Sequence, residues 1–160
     1  MKVRSGFVSN SSSSSFIVIG AMTSGEPVLS VRKVYGNVET LAITHDLGCH
    51  EFGWENEEYS HFWDRVMFSF IQAEYMQKEH PKWMKMLNRV LKDKLKVKRI
   101  IWGITTKWGD EKPKETKSAY IDHQSASTEG MNTEMFESEE NLVNFLFSPG
   151  SSITTGNDNE

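Results

Sequence analysis

The chain has 160 residues, 38% of them hydrophobic and 25% charged, a composition typical of one soluble globular domain spanning residues 1–160. No apolar run is long enough to cross a bilayer, and the polar residues near the N-terminus predict no secretory signal. The single cysteine, Cys49, excludes a disulfide within the chain and a zinc cluster built on cysteines. We therefore expect a cytoplasmic protein.

A serine-rich stretch, residues 9–15, follows the apolar pair Phe7-Val8 and leads into the apolar residues 16–19. A disordered serine tract normally lies between polar segments, whereas both flanks here favour burial. The pattern therefore predicts a fixed loop that leads into a strand and directs hydroxyls and backbone N–H groups at a bound group. A flexible N-terminal arm is the alternative.

Short apolar runs predict strands at residues 16–20, 28–34 and 41–44. At residues 56–77, large apolar side chains recur at spacings of three and four, which predicts an amphipathic helix with Asn56 as its N-cap. The predicted apolar face of this helix comprises Tyr59, Phe62, Trp63, Val66, Met67, Phe70 and Ile71.

Pro81 predicts the start of a second helix, because proline suits the first helical position. A strand is predicted at residues 98–104, a charged loop at 108–117 and another strand at 119–121. Because the loop contains glycine and proline turn signals, we expect the two strands to form a hairpin.

Ser138 is the predicted cap of a third helix, which Pro149 and Gly150 end, and residues 151–155 predict the last strand. Helices and strands intermix along the chain. The sequence therefore predicts an α+β fold, with a mixed β-sheet and about three helices packed on one face. The predicted core comprises Phe62, Trp63, Val66, Phe70, Leu87, Leu91 and Ile101.

The net charge of −4 conceals an uneven distribution. Residues 78–117 hold 13 of the 18 lysines and arginines and only five acids, whereas residues 118–160 hold eight acids and no lysine or arginine. Residues 34–77 hold eight acids and one cation, Arg65. Because the acidic blocks can neutralise the basic block within the fold, we expect no sequence-specific nucleic-acid binding; a nucleic-acid patch is the alternative.

Several short polar groups adjoin the predicted strands, and strand ends tend to gather at one rim where sites form. Hydroxyls, amides and carboxylates at such a rim could bind a phosphate or build an acid–base pair. The candidate ligand-binding residues are Ser9, Asn10, Ser11, Ser13, Gln124, Ser125, Asn157 and Asn159.

The candidate catalytic residues are His123, as general base, and Asp122 and Asp158, either of which could orient it. Adjacent residues of a strand point to opposite faces, so Asp122 cannot orient His123 if the strand continues, and a structural histidine is the alternative. His45 and His50 match no known zinc spacing. We expect neither a metal nor a cofactor.

The N-terminal string from Arg4 to Phe16, RSGFVSNSSSSSF, resembles the signature of small uncharacterised proteins encoded by bacteriophages and some bacteria. The resemblance extends to residues 52–54, 120–125 and 155–159 and so covers the whole chain. It implies a phage or bacterial origin and places the same polar groups together, but it implies no activity.

Three classes of function follow from these patterns. The first is an accessory protein that binds a protein partner or a small phosphorylated ligand at the Ser/Asn/Asp/His-rich rim. The second is a hydrolase or phosphotransfer enzyme that uses His123 with a carboxylate. The third is a structural or virion-associated protein, which would place it in the virion rather than in the host cytoplasm.

Overall fold

The computed structural model describes residues 3–5, 13–20, 34–35, 38–43, 51–53, 57–103, 105–106, 118–121 and 133–157. Within these residues the fold is α+β, as the sequence predicts. The helices are α1 (Phe62–Tyr75), α2 (Lys82–Leu95) and α3 (Glu139–Phe147), and a 3₁₀ turn (Glu134–Phe136) precedes α3. None of the helices in this part of the chain is both long and apolar enough to cross a membrane.

The strands form three small sheets within the described residues. Their bounds are β1 (Val3–Ser5), β2 (Ser13–Ile19), β3 (Val34–Tyr35), β4 (Val38–Ile43), β5 (Glu51–Phe52), β6 (Glu58–Tyr59), β7 (Arg99–Trp102), β8 (Thr105–Thr106), β9 (Ser118–Ile121) and β10 (Ser152–Asn157). The predicted strand at residues 28–34 lies outside the described residues except for Val34.

The largest sheet has the order β1-β2-β10-β6, and all of its pairs are antiparallel. Its central pair joins the serine-rich start of the chain to the C-terminal strand, because β2 and β10 are neighbours in register over six residue pairs. The second sheet, β3-β4-β7, is mixed, since β4 pairs antiparallel with β3 and parallel with β7.

The third sheet, β5-β9-β8, contains only parallel pairs. Thr105 pairs with Ser118 and Thr106 with Ala119 in the same direction, so the predicted hairpin around residues 108–117 is wrong. Glycine and proline indicate a loop, but they do not determine whether the strands on either side of it pair antiparallel or parallel. The loop itself lies outside the described residues.

Helix α1 begins at Phe62 rather than near Asn56 as predicted. His61 is its N-cap, and the imidazole Nδ1 accepts a hydrogen bond from the backbone N–H of Trp63 at 3.3 Å. Glu58 and Tyr59, which precede the helix, form β6, and Tyr59 pairs with Ile153 of β10. Strand pairing with a distant segment therefore overrides the local helical pattern.

The core surrounds α1 on nearly all sides. Phe62 and nine further residues of this helix are buried, so burial is not confined to the single predicted face. Of the predicted core residues, Phe62, Val66, Phe70, Leu87 and Leu91 are buried and Trp63 packs against the core while partly exposed. Ile101 is 42% exposed, so its predicted burial is wrong. It alternates with the half-buried Ile100 and Trp102 on an outer strand.

The other two helices follow their sequence signals. Pro81 precedes the first residue of α2, and Lys96 ends that helix in a left-handed conformation with φ 55°. Ser138 caps α3, because its hydroxyl accepts the backbone N–H of Asn141 at 3.0 Å. The helix ends at Phe147, before Pro149, as predicted.

Candidate functional site

The pairing of β2 with β10 brings two of the predicted polar segments together. Asn157 lies opposite Ser13, Gly156 opposite Ser14 and Thr155 opposite Ser15. We call residues 13–15 and 155–157 the polar end of this ribbon. The register shows that the last part of the serine tract is a strand beside the C-terminal segment.

The opposite end of the same ribbon is apolar and enclosed. Ile17 pairs with Ile153, and both side chains are buried. We call residues 17–20 and 151–153 the anchored end. Since a strand rises about 3.4 Å per residue, the five steps from Ser152 to Asn157 separate the two ends by about 17 Å. The ribbon therefore runs from the core to the polar end.

The flanking strands cover the two ends unequally. Among the described residues, β1 pairs with Ile17, Val18 and Ile19 and does not extend along the polar end. On the other side, Glu57 exchanges two backbone hydrogen bonds with Thr155, at 2.8 and 3.3 Å. Thr155 is only 2% exposed, so the polar end still packs against the protein where it begins.

Charge beside the polar end is negative within the described residues. Glu57 and Glu58 are both exposed, and they lie next to Thr155 and Thr154 respectively. Arg4, the nearest cation by sequence, pairs with Val18, about 10 Å along the strand from the level of Ser15. This arrangement favours an uncharged hydrogen-bonding partner over a free anion.

The structure leaves the other predicted site residues unplaced. Ser13 and Asn157 are the two that it brings together. Ile121, the residue before Asp122, ends β9 and is buried. The candidates that lie outside the described residues are Ser9, Asn10, Ser11, Asp122, His123, Gln124, Ser125, Asp158 and Asn159.

A buried arginine fixes the anchored end, and the sequence analysis assigned it no role. Arg65 on α1 is 4% exposed, and its Nη1 donates to the backbone oxygens of Phe145, at 3.0 Å, Ser148 and Ser151, at 3.3 Å. These oxygens lie at the C-terminal end of α3 and in the turn that leads to β10. A cation is favourable there because it satisfies carbonyls at the negative end of the helix dipole.

Burial lowers the pKa of Arg65 to about 10, and the neighbouring Asp64 carboxylate partly opposes this shift. The guanidinium is therefore still protonated at neutral pH, and it acts as a structural cation. The sequence signal for this role is a lone arginine in a predicted helix that is rich in large apolar residues. Such a residue must find internal acceptors if the helix is buried.

Two serines and two glycines complete the contact between the strand ends. The Ser151 hydroxyl donates to the Asn144 carbonyl at 2.7 Å and accepts the N–H of Gly20 at 2.8 Å. A Cβ atom on Gly20 would lie 2.5 Å from the Ser148 Oγ and 2.8 Å from the Gly150 carbonyl carbon. The close approach therefore requires glycine at position 20.

The two histidines in the described part of the chain make a capping contact and a stacking contact. His61 caps α1, and the His80 ring stacks on Trp83 with 4.2 Å between the centroids.

Burial raises the pKa of Glu74, which lines a surface cleft of about 440 Å³ with residues 75–79. The described residues contain no group of three His, Cys, Asp or Glu side chains that could hold a metal.

Comparison with known proteins gives no further assignment. No family model matches the chain, and no curated protein or solved structure is significantly similar to it.

Proposed function

We propose that this chain is a phage or bacterial accessory protein that binds a protein partner at the polar end of the β2–β10 ribbon. The observation that carries the proposal is the register, which sets Ser13 opposite Asn157. The resemblance of the N-terminal string to phage and bacterial proteins supports the proposed origin. The partner itself is defined only by the chemistry of this end.

Serine, threonine and asparagine side chains offer both donors and acceptors, and such groups recognise a partner's backbone and uncharged polar side chains. The polar end has serine and asparagine on two adjacent strands, whereas its threonine, Thr155, is buried. Glu57 and Glu58 beside it raise the cost of binding a free anion. A protein partner therefore fits better than a phosphorylated small molecule.

The anchored end makes this arrangement rigid. Arg65 holds three carbonyls around the start of β10, and Ser151 ties that start to Gly20 at the end of β2. Binding then costs less conformational entropy, because the strands are ordered before the partner arrives. The proposed recognition edge is therefore the polar end, which is ordered before binding because the anchored end supports it.

A phosphorylated ligand is the second candidate, and Arg4 is the cation that favours it. The structure places Arg4 on the strand next to β2. The enzymatic and virion-associated alternatives stay predictions, because His123, Asp122 and Asp158 lie outside the described residues.

Affinity capture with the whole chain tests the proposal. The bait proteins are the wild type, Asn157→Ala, and a matched control, Asn144→Ala, which removes an amide from α3 instead. We expect a partner that the wild type and Asn144→Ala retain and Asn157→Ala loses. Identical retention by all three proteins would contradict the proposal.

A nuclear magnetic resonance titration with phosphoserine and with inorganic phosphate separates the two ligand classes. The protein-partner proposal predicts no saturable shift at residues 13–15 or 155–157. A saturable shift there that Arg4→Gln abolishes would favour the phosphorylated ligand.

A further inference from the structure

The outward face of α2 carries a regular row of positive charge. Four members lie three and four residues apart within the helix and so share one side of it, the fifth is the left-handed residue that ends the helix, and all five are exposed. We call this row the basic stripe, and it consists of Lys82, Lys85, Arg89, Lys92 and Lys96.

Within the described residues, two members of the basic stripe form ion pairs. Arg89 pairs with Glu139 of α3, and Lys96 lies 3.9 Å from Asp93 on its own helix. Lys82, Lys85 and Lys92 form no ion pair in the part of the chain that the structure describes. Among the described residues, the Arg89–Glu139 pair joins the stripe to the C-terminal acidic block, and the expectation of internal neutralisation stays a prediction.

The inner side of α2, opposite the basic stripe, packs against the core. Leu87, Val90 and Leu91 are buried on its inner side. Asn88 accepts a hydrogen bond from the Trp102 indole at 3.0 Å, and that indole stacks on Phe70 with 4.2 Å between centroids. The stripe is therefore a preformed surface.

An open groove lies against the middle of the basic stripe. It has a volume of about 600 Å³, and it is lined by Lys85, Asn88, Arg89, Lys92 and Asp93. The groove gives a partner element a place to lie between the lysine side chains rather than only above them. It is separate from the polar end of the ribbon.

We infer that the basic stripe docks an acidic α-helix of a partner protein. Over the 14 residues of α2 the stripe spans about 21 Å, with successive charges about 4.5–6 Å apart along the axis. Glutamates at the same three- and four-residue spacing on a second helix have the same separation, so each can face one cation, as in paired helices.

Charge density argues against duplex DNA as the occupant. Five cations less Asp93 and Glu139 leave a net charge of +3 on this face. A duplex presents one phosphate charge per 1.7 Å, or about 12 charges over the same length. The stripe therefore matches an acidic helix far more closely than it matches nucleic acid.

The test measures fluorescence anisotropy of a labelled helical peptide with glutamates on one face, against the whole chain. A scrambled peptide of the same composition and a random DNA duplex of equal length are the competing probes. We expect the one-faced peptide to bind at least about tenfold more tightly than either competitor, and more weakly as salt rises from about 50 to about 200 mM.

Two charge-matched double variants make the test specific. Lys85→Glu with Lys92→Glu alters the stripe, whereas Lys78→Glu with Lys98→Glu makes the same change at exposed positions outside it. We expect the first pair to reduce affinity at least about tenfold and the second less than about threefold. Both pairs are exposed, so the melting temperature should stay near that of the wild type.

Four results would overturn the inference. These are equal losses in the two double variants, no preference for the one-faced peptide, tighter binding of the duplex, and self-association that only the Lys85→Glu, Lys92→Glu variant abolishes. The last result would assign the stripe to a second copy of this chain.

Discussion

The two ends of the β2–β10 ribbon share the same strands and pairing but differ in their surroundings. At the anchored end, Ile17 and Ile153 are buried and Arg65 binds the turn before β10. At the polar end, serines lie opposite threonine, glycine and asparagine. The anchored end is therefore where the ribbon packs into the core, and the polar end carries the residue types that we propose for recognition.

Removing an apolar side chain from the anchored end should have the largest effect. Ile153→Ala should lower the free energy of unfolding by about 2–5 kcal/mol, because it leaves a cavity in the core. Denaturant unfolding measures this difference. The same substitution at the exposed Ile101 is the control and should change stability by less than about 0.5 kcal/mol. Equal effects at the two positions would contradict the assignment of burial.

Replacing the buried arginine should have the next largest effect. Arg65→Met should cost about 1.5–3 kcal/mol, since hydrogen bonds from a charged donor to buried carbonyls are lost. Arg89→Met is the matched control, because Arg89 forms an exposed ion pair worth less than about 1 kcal/mol. A melt that Arg65→Met leaves unchanged would show that Arg65 does not fix the turn before β10.

A single methyl group tests the close contact between the strand ends. Gly20→Ala should cost about 1–3 kcal/mol, because the added Cβ would clash with Ser148 and with the Gly150 backbone. Gly150→Ala should be tolerated, since its Cβ would lie 3.7 Å from the nearest atom, the Gly20 Cα. Gly20→Ala should melt at a lower temperature than Gly150→Ala, and the reverse order would exclude this packing.

The smallest stability effect is expected at the polar end. Asn157→Ala should change the free energy of unfolding by less than about 0.5 kcal/mol while it removes partner binding. A loss of stability comparable to that of Gly20→Ala would instead mean that Asn157 is a structural residue. Ile153→Ala, on the same strand, should by contrast lower the free energy of unfolding by about 2–5 kcal/mol.

The sequence predicts local features of this fold well. Periodic apolar residues identify α1, Pro81 identifies the start of α2, and the Ser138 cap and Pro149 identify the ends of α3, because these signals depend on neighbouring residues. The polar character of residues 13–15 and 155–157 is equally visible in the sequence.

Features that depend on distant pairing could not be predicted. Tyr59 fits the helical pattern, yet it joins β6 because Ile153 lies opposite it. Ile101 is apolar but lies on the exposed side of β7, and the direction of the β8–β9 pair depends on no local residue. The role of Arg65 likewise requires carbonyls some 80 residues away, as for Phe145.

Native-state amide hydrogen exchange of the free protein tests whether β2 pairs with β10 along the polar end. If the end of the serine tract pairs with the C-terminal strand, the ladder amides of residues 13–15 and 155–157 should exchange far more slowly than those of an unstructured peptide. Exchange at the unstructured rate across residues 13–15, with protection kept at the anchored end, would contradict the pairing and with it the preformed recognition edge.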